Sequence, residues 1–166
     1  MSAEFDFDHD EAYPALRERA VGTNVNEQTL LATDYLNHFN EVVMTLEMLA
    51  DMPELLDEAK EWAPKAYKDH FRDSTIADKE LAIEAYDHVP PKFKVPFEQN
   101  IDKINQLMTT SIERLENDIQ AGDMELVRAN AQALSQVLQR LMDMCSANIH
   151  GSETTMDQSE IDNLIG

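Results

Sequence analysis

The sequence predicts an all-α protein: a helical bundle built around a long antiparallel helical hairpin. Three observations carry that expectation. Only four of the 166 residues are glycine, and no run of β-branched residues alternates with polar ones, so the chain has little from which to build sheet. Apolar residues recur instead at steps of three and four over long stretches, the spacing of a single helix face. Two of the longest stretches are separated only by Ala121, Gly122 and Asp123, a turn so short that the helices on either side must run antiparallel.

Taken along the chain, residues 1–22 read as an acidic, weakly structured arm. A first helix is expected from about Asn26, with Leu31, Tyr35, Phe39, Val42, Leu46 and Leu49 on its core face. Pro53 suits the first turn of a new helix, and "PELLDEAKEW" runs from it to Pro64. "YKDHF" and "DKELAIEAYDHV" are short helical segments, the second stopped by Pro90 and Pro91. "PPKFKVP" then reads as an extended connector. Phe97, Ile101, Ile104, Met108, Ile112, Leu115 and Ile119 mark one arm of the hairpin, ending at Gly122. Asp123 caps the other arm, which runs from Met124 to Ile149 with Val127, Leu134, Leu138, Leu141 and Cys145 inward. The implied organisation is an arm over 1–22, a bundle over 23–150 and a terminal linker and docking peptide over 151–166. Long hairpins of this kind commonly pair, so a homodimer through Phe97–Ile149 is a further expectation.

Charge narrows the partners. Thirteen Lys and Arg stand against 33 Asp and Glu, a net charge of −20. Such a surface repels phosphate backbones and anionic lipid headgroups, so neither nucleic acid nor membrane is expected, and basic protein surfaces are. The single cysteine, Cys145, excludes an internal disulfide and falls in an apolar stripe, where it reads as a small buried thiol. No run of about 18 apolar residues exists, and the acidic start "MSAEFDFDHDEAY" lacks the basic and then apolar stretch of a signal peptide. A cytoplasmic location is expected.

Few constellations in the body of the chain suggest chemistry. His38 with Glu41, and Glu84 with His88, would each present two potential ligands on one helix face. Di-metal bundles, however, repeat Glu-x-x-His on two helices with further carboxylates on two others, and neither pair has that order and spacing. No metal and no cofactor is assigned. No Gly-rich phosphate loop, Ser-His-Asp arrangement or Cys-x-x-Cys pair occurs. The nine methionines read mostly as core filling.

The end of the chain, "TTMDQSEIDNLIG", is denser in signal. Thr155 with Gln158, and Asp157 with Glu160, both have capping-box spacing, and Ile161, Leu164 and Ile165 fall at i, i+3 and i+4. So short a helix is marginal alone in water. It either folds on a partner or packs back on its own bundle.

"DQSEIDNLIG" resembles the segment with which the flagellar switch protein FliM captures the response regulator CheY, a Ser-Gln-x-Glu-Ile-Asp-x-Leu-Leu pattern. Gln158, Glu160, Ile161, Asp162, Leu164 and, conservatively, Ile165 match it, while Asp157 stands where serine is usual. It also resembles the C-terminal peptide of CheZ, the phosphatase of that regulator, which likewise follows a bundle and a linker. "SQVLQRLMDM", Ser135–Met144, is similar to the CheZ helix around its catalytic glutamine, with Gln136 at that position. The resemblance implies a glutamine that orients water toward an aspartyl phosphate and, one turn earlier, an acid that pairs with a lysine of the regulator. Here that earlier position is Gln132.

Three functions follow as expectations. The first is an interaction protein that docks a CheY-like receiver domain through its C-terminal peptide, in chemotaxis or flagellar motility control. The second is a CheZ-like aspartyl-phosphate phosphatase using Gln136. The third is a metal-binding bundle using His38, Glu41, Glu84 and His88.

Overall fold

The computed structural model describes residues 10–155 and residue 161. Among them it holds seven α-helices and no strand beyond a single antiparallel bridge between Val25 and Ala32. In chain order these are α1 (Ala12–Ala20), α2 (Asn37–Met48), α3 (Leu56–Lys60), α4 (Tyr67–Arg72), α5 (Lys79–Tyr86), α6 (Pro91–Gln120) and α7 (Met124–Ile149). Short 3-10 turns over Thr33–Leu36 and Pro53–Leu55 lead into α2 and α3. The all-α bundle expected from the sequence is the fold of the chain.

Helices α6 and α7 form the hairpin. Gly122, at φ +79°, takes the left-handed turn between them at no steric cost, and the Asp123 carboxylate accepts the Leu126 N–H at 3.1 Å to cap α7. Two side-chain bonds display the antiparallel register. Near the turn Asn130 Nδ2 donates to Asp118 Oδ2 at 2.7 Å, and at the far end Asn100 Nδ2 donates to Asn148 Oδ1 at 2.7 Å. The apolar stripes of both arms, from Phe97 to Leu115 and from Val127 to Ile149, are buried within one chain, where α2, α3 and the aromatic side chains of α4 close over them. A second copy is not needed to cover these stripes.

Three segments differ from the sequence reading. Residues 12–20, expected as part of the arm, form α1, which inserts Leu16 and Ala20 into the core. Its apolar content is too low to show as a stripe, and tertiary packing rather than propensity holds it. Asn26 does cap, but it caps a single tight turn rather than a helix. Its Oδ1 accepts the Gln28 and Thr29 N–H groups at 2.8 and 3.0 Å, and Leu30 follows at φ +65°. Helix α2 therefore starts at Asn37, although Leu31 and Tyr35 are buried as expected. Finally, "PPKFKVP" is not extended. Pro91 opens α6, where a missing N–H is harmless, and Pro96 is accommodated inside the helix with its ring buried.

No helix among the described residues is long and apolar enough to cross a membrane.

Candidate functional site

Two regions bear on the residues singled out in the sequence: the exit of the chain from α7, beyond which Ile161 lies, and a groove between α2 and α7 that holds Gln132 and Gln136.

The exit is built from buried amides. Gly151, at φ +110°, turns the chain out of α7 where a Cβ would come within 3.0 Å of Gln28 Oε1. Thr29 Oγ1 donates to the Ile149 carbonyl at 2.5 Å, tying the tight turn after Asn26 to the end of α7. Asn148 Nδ2 then donates to the carbonyls of Ser152 and Thr154 at 3.0 and 3.1 Å, and Asn100 Nδ2 also reaches Thr154 O at 3.1 Å. Both asparagines are fully buried, so the bonds satisfy groups that would otherwise be costly to bury. The linker thus leaves the bundle through a polar clamp rather than as a free strand. Beyond it, Ile161 is helical, only 3% exposed and part of the same apolar cluster as the hairpin. Of the two possibilities open for this segment, packing back on the bundle is the one Ile161 adopts here. Gln158, Glu160, Asp162, Leu164 and Ile165 lie outside the described residues.

The groove, about 590 Å³, is lined by Glu47 of α2 and by Arg128, Gln132, Ser135, Gln136, Gln139, Arg140 and Asp143 of α7. Gln136 is exposed on it, with its amide free to face a partner. Ser135 Oγ donates to Glu47 Oε1, and Arg128 Nη2 pairs with Asp51 Oδ1 at 2.6 Å. The Arg128 guanidinium holds the Asp51 carboxyl below the usual carboxylate range. Glu47 is the residue that sequence reasoning missed. It lies 88 positions from Ser135, so only the fold brings a carboxylate beside Gln132 and Gln136.

The other candidates are not brought together. His38 and Glu41 lie on α2, Glu84 and His88 near α5, and each histidine is engaged elsewhere. His38 Nε2 bonds the Ala63 carbonyl at 2.8 Å, and its ring lies 5.3 Å from that of Trp62. Glu84 pairs with Arg19 at 2.6 Å, and His88 Nδ1 meets Asp10 Oδ2 at 2.8 Å. Among the described residues no group of three or more His, Cys, Asp or Glu is arranged to hold a metal ion. Cys145 is buried, which pushes its thiol up to about 12, so it is protonated and unreactive at neutral pH.

A further cleft of about 510 Å³ opens beside Tyr35, Tyr67 and Tyr86. Its cations are committed at its rim, Lys65 to Asp73, Lys68 to Asp87 and Arg72 to Asp69, each within 2.5 to 2.6 Å. Each cation that lines the cleft is thus paired with a carboxylate.

No protein family, curated protein or solved structure matches the chain.

Proposed function

We propose that the protein is a signalling adaptor whose C-terminal segment docks a CheY-like receiver domain, in chemotaxis or flagellar motility control. The observation that carries this reading is the run Gln158, Glu160, Ile161, Asp162, Leu164 and Ile165, with its receiver-docking pattern. Ile161 supports it as the apolar anchor of a helical segment, the side chain that a partner groove would take. The same side chain now fills the chain's own core, so capture requires its release. Docking is then a competition between the bundle and the receiver for one residue. The reading places the protein in the cytoplasm, where receivers act.

The test is binding of the full chain to the CheY-like receivers of its source organism, with and without beryllofluoride as a phosphoryl mimic. Micromolar binding that depends on the mimic and is lost in a chain truncated after Thr154 supports docking. Equal binding by the truncated chain would assign the contact to the bundle and defeat the proposal.

A second reading has its own observation. The groove sets the Glu47 carboxylate on the same surface as Gln132 and Gln136, so an acid absent from that turn of α7 is supplied by α2. In a phosphatase of the CheZ kind, Gln136 would orient a water for in-line attack at phosphorus, and Glu47 would pair with a lysine of the receiver. The bond from phosphorus to the aspartyl oxygen breaks, and inorganic phosphate leaves. If Gln136→Ala leaves the lifetime of the receiver's aspartyl phosphate unchanged, this second reading fails and docking alone remains.

A further inference from the structure

The outward face of α2 carries an unusual surface. Among the described residues six large apolar side chains stand exposed, and three of them, Met44, Met48 and Met52, recur at four-residue spacing along this one face. They are 61%, 44% and 39% exposed. Helical spacing persists past the end of α2, because the Met52 N–H still bonds the Met48 carbonyl at 2.9 Å. The stripe therefore runs two helical turns, about 12 Å at the usual rise. Val21, Val95 and Leu126, the other three, lie on separate segments. Scattered singly, exposed apolar residues need no explanation; an aligned row of them does.

Its electrostatic setting names the occupant. No Lys or Arg occurs between Arg19 and Lys60, whereas Glu41, Glu47, Asp51 and Glu54 flank the methionines on exposed positions. Among the described residues the cation paired into this stretch is Arg128, taken up by Asp51. Methionine is unbranched and polarizable, suited to packing against side chains of varied shape. A two-turn apolar row bordered by carboxylates is complementary to a helix with one apolar face and basic flanks. Of the acidic flank, Glu47 also borders the groove of about 590 Å³ between α2 and α7, where Arg128 and Arg140 lie on the α7 side.

We infer that this face of α2 docks a basic amphipathic helix of a partner protein, its apolar side on Met44, Met48 and Met52 and its cations on Glu41, Glu47 and Glu54. This site is separate from the C-terminal segment and does not depend on receiver capture.

The experiment is a methyl NMR titration of the full chain, labelled at methionine, with an 18-residue Leu/Lys peptide in amphipathic helical register. A scrambled peptide of the same composition keeps the charge but removes the apolar face. The methyls of Met44, Met48 and Met52 should shift while that of the buried Met108 stays in place. The dissociation constant should rise about tenfold or more in Met44→Ser/Met48→Ser and with the scrambled peptide. Both methionines are exposed, so the variant should keep the parent's melting temperature, and Glu41→Gln/Glu54→Gln weakens binding without touching the apolar row. Equal affinity for the scrambled peptide would reduce the effect to attraction by net charge and overturn the proposal. So would unmoved methionine methyls. A wild-type dimer in sedimentation that Met44→Ser/Met48→Ser turns into monomer would give the face to a second copy of the chain, and would equally overturn it.

Discussion

Asn148 is an amide placed where an apolar side chain would pack as well, and its three bonds explain its presence. It accepts from Asn100 and donates to Ser152 and Thr154, so it sets both the hairpin's far-end register and the path of the linker. Asn148→Ala would take one acceptor from the buried Asn100 amide and loosen two carbonyls, and is expected to cost about 1–3 kcal/mol in urea unfolding. Linker amides over 152–154 should also exchange hydrogen faster in that variant. His38 and His70 are a second pair with a shared consequence. Burial lowers the pKa of each from the usual 6.5, and at His70 the neighbouring His38 adds to the effect. With the folded values below the unfolded ones, the unfolded chain binds protons more readily in that window. The stability these rings contribute is therefore complete above pH 6.5 and lost as pH falls below it. Between pH 7 and 5 a His38→Gln/His70→Gln chain should lose less stability than the parent, as thermal melts across that range would report. An equal loss in both would show that the two rings are not linked to folding.

Which helices the sequence reveals depends on how each earns its burial. The stripes of α2, α6 and α7 are legible because each helix has one continuous apolar face over the core, and the residues named from spacing are buried, save Ile119, which is partly buried at the end of α6. Helix α1 escapes because it contributes only Leu16 and Ala20, held by packing that no local pattern records. The prolines misled at α6, where residues that stop one helix also open the next. In the groove, Gln136 was visible from its resemblance, but Glu47 joins it only through the packing of α2 on α7. The methionines read in the sequence mostly as core filling, but Met44, Met48 and Met52 stand exposed, because the Leu and Val stripe takes the core side of α2. Under the proposed function the C-terminal segment serves two sites, its own core and the receiver. A free peptide over 154–166 has no core from which to withdraw Ile161, whereas the full chain does. Burying such a side chain is worth about 1.5–3 kcal/mol, so the peptide should bind an activated receiver on the order of ten- to a hundredfold more tightly than the full chain. Comparable affinities would mean that the clamp and the buried Ile161 place no restraint on docking.

For the whole molecule, the acidic bundle, the linker over 152–154 and Ile161 form one packed unit, and under the proposed function the docking segment is stored on the domain that carries it. Asn100 and Asn148 hold the linker, Ile161 seals the core, and the net charge of −20 leaves basic protein surfaces as the favoured partners. An adaptor of this kind would bring a receiver to whatever occupies the methionine face of α2. The most direct test of receiver capture is a calorimetric titration of the full chain and of Ile161→Asp with a beryllofluoride-activated CheY-like receiver from the same organism. Micromolar binding by the parent, weakened at least tenfold without the mimic and absent in Ile161→Asp, is expected. Binding by Ile161→Asp at the parent's affinity, or no binding to any activated receiver, would contradict the proposed function.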